Sequence, residues 1–350
     1  MDSKKRIIKF AGAFVAWVIG SGFATGQELL QFFSSYGYWS YGAIIINLVG
    51  FVLVGPTILR VGYNNKDDEN FQQLKYFCGD KLGAVYSWLI PITLVAGMTV
   101  LISGAGATLS EYYGVNHYIG AAIMSAMVLG AYLIGFNRLV RIISLIGPII
   151  IIFTLVVGLV TVCRDFESLA DVPQHKAVLS QSQSSINWVI SAVLYVSYNH
   201  LCGSVYYSAL GATGTSEREV RIGAVAGAIA LIAAITVMNA AILSNAGNTA
   251  ALDIPTLFLA KKISFVFGMV FSIILILGIF SSCSAMMWTV CSKFTVEGTE
   301  KSRIFAGAVA GGTFLLGLLP FSDLISILYP FIGYAGLIYM ICVIRKRMKL

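Results

Sequence analysis

The chain has 350 residues, 58% of them hydrophobic and only 11% charged, with a formal net charge of +7. A soluble domain carries roughly 25% charged residues, so this composition excludes an ordinary soluble enzyme or binding module and points to a polytopic membrane protein. The net positive charge does not imply nucleic acid, because its positions follow the loop bias of membrane proteins.

A span needs about 20 apolar residues, and on that rule the sequence predicts ten helices. The first five are Ile7 to Ser34, Trp39 to Val61, Leu82 to Tyr112, Tyr118 to Phe136 and Leu139 to Val162. The second five are Ile186 to Gly211, Val220 to Ser244, Ile263 to Ser292, Ile304 to Leu319 and Leu324 to Ile344. The basic run Lys4 to Arg6 before an apolar stretch resembles a secretory signal, but no clear small-x-small cleavage site follows, so the first helix is expected to be retained.

With the N-terminus inside, nineteen Lys and Arg residues fall on inner segments, Arg138 and Arg141 among them, and four (Arg164, Lys176, Lys261, Lys262) on outer ones. That asymmetry supports an even number of spans with both termini in the cytoplasm. The chain then divides at a polar stretch, Arg164 to Ser185, into residues 1–163, an external loop 164–185, and residues 186–350. Five spans on each side require the second half to enter the membrane inverted relative to the first, the geometry of an inverted repeat. No residue-level identity between the halves supports this, so the symmetry is inferred from topology alone.

Two spans carry interruptions in corresponding places. The first holds Gly20, Ser21 and Gly22 at mid-membrane; the sixth, "NWVISAVLYVSYNHLCGSVYYSALG", holds Tyr198, Asn199, His200 and Gly203. Unwinding a helix in lipid exposes backbone groups that cost several kcal/mol each unless paired. Matching interruptions therefore predict that helices one and six unwind around a binding site. Beyond the first, Gln27, Glu28 and Gln31 are expected to lie toward the outer face, lining an entry vestibule, with Glu28 a candidate proton-coupling carboxylate. His200 is either a proton carrier, a substrate partner or a neutral histidine satisfied by a carbonyl.

The six cysteines are scattered, with neither a metal-ligand nor a disulfide spacing, and three histidines (His117, His175, His200) form no paired catalytic set. Neither an enzyme nor a cofactor is expected.

The run "FVAWVIGSGFATGQE" resembles the YkvI-like bacterial membrane proteins within the amino acid, polyamine and cation transporter superfamily. The resemblance implies an all-α protein of the LeuT fold in the bacterial cytoplasmic membrane, working as a secondary transporter of a small organic solute such as an amino acid or related amine or carboxylate. It implies a sodium ion between helices one and eight, held by the carbonyls of Ala16, Ile19 and Gly278 and the hydroxyls of Ser281 and Ser282. Positions 278, 281 and 282 share one helix face, and oxygen ligands suit a hard cation. Helix five has no lysine that could replace sodium.

For the substrate, the resemblance implies Gly20, Ser21 and Gly22 with Tyr195, Tyr198, Asn199 and His200, and Val18, Phe23 and Trp17 as apolar walls. Asn199 and His200 depart from the hydroxyl-rich pattern of amino acid carriers and leave room for a more polar solute. The expected partners are thus a small molecule, sodium and the lipid bilayer; oligomeric state is open. Proton coupling through Glu28 and His200, or a ligand sensor on the same fold, are the alternatives.

Overall fold

The structure, a computed structural model, describes residues 3–68 and 70–348, and for residues 136–147 the helical backbone without the side chains. The side chains of Arg138 and Arg141, counted above on the inner face, lie outside the described residues.

The first predicted span is three helices, α1 (Ser3–Val18), α2 (Ser21–Thr25) and α3 (Gln27–Phe32). There follow α4 (Trp39–Asn64), α5 (Gln73–Tyr113), α6 (His117–Ile134) and α7 (Phe136–Asp165). The polar stretch then forms 3₁₀ turns and a short α8 (Lys176–Leu179) before α9 (Trp188–Ala212) and α10 (Glu217–Leu243). Next come α11 (Ala246–Thr249), α12 (Pro255–Ile263), α13 (Phe265–Phe294), α14 (Glu300–Leu316) and α15 (Phe321–Arg347). Seven helices among the described residues are long and apolar enough to cross a membrane. The remaining three predicted spans fall on the broken α1–α3, on α9 with its polar centre, and on the 17-residue α14.

Local chemistry sets several boundaries. Asn187, Ser264 and Thr299 cap α9, α13 and α14, each accepting a bond from the N–H three residues on at 2.9 to 3.2 Å. Glu217 and Glu219 open α10, where the positive end of the helix dipole favours acids. Helix α5 begins before the predicted Leu82, because Gly79 (φ 75°, ψ 174°) joins a short preceding turn to the long span. Helix α12 was not anticipated; Pro255 at its first turn and Lys261 and Lys262 in its last are the legible signals.

The helices pack as two groups. In one, α4 lies against α9 and α10, and α1 against α10. In the other, α5, α6, α13 and α14 enclose a separate core that includes Met98, Ile102, Met124, Ile279 and Met287. Helices α7 and α15 connect the groups. Exchanging the first span with α9, α4 with α10, α5 with α13, α6 with α14 and α7 with α15 maps observed pairs onto observed pairs. Thus α1·α10 becomes α9·α4, α6·α13 becomes α14·α5, and α7·α10 becomes α15·α4. The outward faces are apolar, with Ile45, Trp88, Ile92, Ile152, Ile273 and Ile327 exposed, as a lipid-facing surface requires.

Ion pairs tie helix ends on each face. At one, Arg6 bonds Glu219 through two nitrogens at 2.7 and 2.9 Å and Arg60 meets Glu217 at 2.7 Å; at the other, Lys262 meets Asp165 at 2.8 Å.

The α4–α9 contact depends on missing side chains. A Cβ on Gly62 would overlap the Ser208 carbonyl, and one on Gly211 would overlap the Leu59 carbonyl, so the two backbones touch at both points. Gly62→Ala or Gly211→Ala is therefore expected to lower stability by about 1–3 kcal/mol through overpacking. Gly311→Ala, where an added Cβ meets nothing within 4 Å, is expected to gain up to about 1 kcal/mol. Thermal midpoints in detergent check the contrast.

Candidate functional site

The first span breaks where the sequence predicts. The last bond of α1 runs from Ile19 N–H to Val15 O (2.8 Å), and the ladder resumes with Ala24 N–H to Gly20 O (3.0 Å). The carbonyls of Ala16 to Ile19 and the amides of Gly20 to Phe23 fall between the two ladders. Gly20 itself is extended (φ −99°, ψ −163°), a conformation open to any residue. A Cβ there would meet only Ser282 Oγ, at an ordinary contact distance of 3.9 Å, so neither conformation nor space demands glycine at this position.

A second break, not anticipated, follows at Gly26. Its left-handed conformation (φ 82°, ψ −10°) demands glycine, and Thr256 and Pro255 of α12 press against it. The Thr256 hydroxyl donates to the Ala24 carbonyl, and the Thr25 hydroxyl to Gly22 O at 2.6 Å, so carbonyls in this turn find partners.

Helix α13 crosses the first break. The Ser21 hydroxyl donates to Ser282 Oγ at 3.2 Å, and a Cβ on Gly278 would lie 3.7 Å from Ser21 Cβ. Ser281 and Ser282 are half-buried, Ile19 is buried, and Ala16 is exposed. The structure therefore brings Ile19, Gly20, Ser21, Gly278 and Ser282 together, with Ala16 exposed one turn earlier on α1.

The run Gln27, Glu28 and Gln31 does not line a vestibule. These residues are 2%, 5% and 2% exposed, because the Gly26 turn swings α3 back into the protein. Gln31 Nε2 donates to Ser322 O at 2.8 Å, closing this end against α15. Ser322 N–H in turn donates to Asp253 Oδ1, and Asp253 N–H to Glu111 Oε1, at 3.2 and 2.9 Å. Glu28 lies against the break instead of a full helical stretch beyond it. Its Oε1 occupies the space a Cβ on Gly22 would need, and its Oε2 accepts from the Tyr198 hydroxyl at 2.6 Å. The Tyr329 hydroxyl stands beside the same carboxyl. Tyr329 was not foreseen; a tyrosine next to Pro330 inside an apolar span was the available signal.

Helix six does not unwind. Helix α9 is continuous from Trp188 to Ala212, and its polar residues support it. Asn199 Nδ2 donates to Tyr195 O (3.0 Å), Ser197 Oγ to Val193 O (2.7 Å), and His200 Nδ1 bonds Val196 O (2.8 Å). These bonds back to the preceding turn occupy the side chains on their own helix. Gly203 serves packing: a Cβ there would collide with the Trp17 indole, which also stacks on Tyr206 at 5.0 Å. Trp17 is thus bundle packing.

His200 faces α4, its ring 4.8 Å from Phe51, and its fully buried Nε2 has no hydrogen-bond partner among the described residues. It is not brought to Glu28. Tyr195 is buried among Phe32, Phe33, Phe51 and Tyr198, with its hydroxyl likewise unpartnered. Val18 and Phe23 are buried as well.

No protein-family profile matches the chain. It is 23% identical to membrane protein YkvI of Bacillus subtilis (strain 168) over 99% of this chain and 97% of that protein. It is 24% identical to YyaD of the same organism over 93% of each. Among solved structures it resembles the Eremococcus coleocola manganese transporter bound to an aromatic bis-isothiourea substituted compound (TM-score 0.54, 14% identity, 98% of this chain and 96% of that one). It also resembles the inward-facing conformation of Mhp1 (TM-score 0.55, 13% identity, 96% and 75%). The fold is the LeuT fold. The resemblance read from helix one is thereby upheld in the relatives and in the architecture.

Removing the phenol that meets Glu28 leaves a buried carboxyl without its short donor. Tyr198→Phe is expected to cost about 1–3 kcal/mol of stability, read as a lower thermal midpoint, whereas Tyr118→Phe, on an exposed tyrosine, should change it by about 0.5 kcal/mol or less.

Proposed function

We propose that the protein is a secondary active transporter of a small organic solute, coupled to sodium and working by alternating access. The observation that carries this reading is the break at Ile19–Gly20. Four consecutive carbonyls leave the α1 ladder there, and the hydroxyl of Ser282 stands across the gap on a different group of helices. Carbonyl oxygens released at membrane depth need partners, and a hard cation ligated by oxygens supplies one. Ala16, Ile19, Gly278, Ser281 and Ser282 are its proposed ligands, and Gly20, Ser21, Gly22 and Tyr198 border the solute.

The exchange symmetry of the packing supports ten spans arranged as two inverted sets of five, residues 1–163 and 186–350. The basic-residue bias supports placing the termini in the cytoplasm. In that orientation the Gln27–Gln31 end, sealed by Ser322, is the outer one. The end at Gly12 and Ala16, where both residues are exposed, is the inner one. A cation held between the first span and α13 binds best when the two are apposed and so biases the equilibrium between states.

Proton coupling is the second reading, favoured by one observation: Glu28 is buried with no basic partner among the described residues. His200 lends it no support, since its ring points elsewhere.

In proteoliposomes, solute uptake is expected to require a sodium gradient. Ser281→Ala and Ser282→Ala should each raise the sodium concentration for half-maximal uptake by about tenfold, equivalent to about 1.4 kcal/mol. Equal uptake in sodium and choline buffers would contradict sodium coupling, and uptake that follows an imposed pH gradient instead would favour the proton.

A further inference from the structure

We infer that the Glu28 carboxyl is the subsite for the charged nitrogen of the solute, and that the solute carries a protonated primary amine. The inference rests on the transporter reading and adds to it the chemistry of what is carried.

The geometry starts from the electrostatics of the interior. Among the described residues, the other acids stand in loops or near the ends of the long helices, while Glu28, in the first turn of the short α3, is only 5% exposed. No Lys, Arg or His lies within ion-pairing distance of it among the described residues. Its described partners are phenols: Tyr198 donates to Oε2 at 2.6 Å, and Tyr329 stands at the same carboxyl. A buried carboxylate without a counter-charge is costly. A solute that brings a positive charge offsets that cost, as a proton on the carboxyl would, and a neutral or anionic solute does not.

Position then links the carboxyl to the break. The Gly26 turn aims α3 backwards, and Oε1 rests over Gly22, next to the unwound segment proposed to border the solute. Oε1 is the carboxylate oxygen not taken by Tyr198. The buried Tyr195 hydroxyl, which has no geometrically sound hydrogen bond among the described residues, belongs to the aromatic cluster around Tyr198, the two rings 5.4 Å apart. A primary ammonium has three donors, and the carboxylate with the neighbouring phenol oxygens offers acceptors for them.

The continuity of α9 removes one other source of negative charge. A break in helix six would present free carbonyls to an amine, but here the helix is regular and Asn199 is bonded to its own turn. The negative end of the site must come from elsewhere, and Glu28 is the group in place. Gly22 and Gly26 then acquire a shared purpose: one leaves room for the carboxyl and the other turns it into that room.

The test is thermal stabilisation of purified full-length protein by amines, each beside its hydroxyl counterpart: alanine against lactate, n-butylammonium against butanol, putrescine against butanediol. The wild type is expected to be stabilised by at least one amine and not by its counterpart. Glu28→Gln, if monodisperse like the wild type, should weaken that amine by at least tenfold. Tyr329→Phe, which keeps the carboxyl, should weaken it less. The inference is overturned if no amine stabilises the protein, if the counterpart does so equally, or if Glu28→Gln binds the amine as tightly as the wild type. Uptake by proteoliposomes separates this from the reading beneath it. Glu28-dependent amine binding without accumulation would leave the subsite standing and defeat the transporter, whereas accumulation of lactate in place of any amine would do the reverse.

Discussion

A helix interrupted inside a bilayer must find partners for its backbone, and that constraint organises this protein. Between Val15 and Ala24 the first span gives up its own hydrogen bonds, in a medium where each unpaired group costs several kcal/mol. The surroundings answer in different ways along the segment. Toward α3, side chains do it: Thr25 and Thr256 take carbonyls, and α12 buttresses the Gly26 turn. At Ile19–Gly20, no protein group of the described chain fills the same role, and the serines of α13 stand opposite.

That division places the uncompensated groups on the seam between the two helix groups. Within the first group, glycines on α4 and α9 bring backbones into contact and Arg6 fastens α1 to α10. Within the second, α5, α6, α13 and α14 share their own core. Each group has its own contacts, and Ser21 meets Ser282 where the two groups come together. In the proposed cycle, whatever binds at that interface reports on the angle between the groups. Glu28 lies against Gly22 and Tyr198 beyond the break, and Gln31 ties that end of the span to Ser322 of α15.

Much of this architecture was legible in the residues. The apolar segments fall on the observed long helices, and Gly20 to Gly22 marked the first break, because composition and spacing act locally. Helix six was misjudged for a physical reason. Asn199, His200 and Ser197 look like interruptions in a hydropathy profile, yet each returns its hydrogen bond to the preceding turn, and Gly203 answers the bulk of Trp17 from another helix. Glycine read alone cannot distinguish a turn from a contact. Likewise Glu28 was visible as an intramembrane acid, but its burial depended on the left-handed turn two residues earlier, and its partner Tyr329 comes from about 300 residues away.

The central claim is that the break in the first span is a cation site completed by α13. Equilibrium binding of radiolabelled sodium to the purified protein tests it directly. The account predicts saturable binding to one site per chain, unaffected by excess potassium and weakened by Ser282→Ala. Absence of saturable sodium binding in a folded, monodisperse preparation, or binding indifferent to both Ser281→Ala and Ser282→Ala, would contradict it.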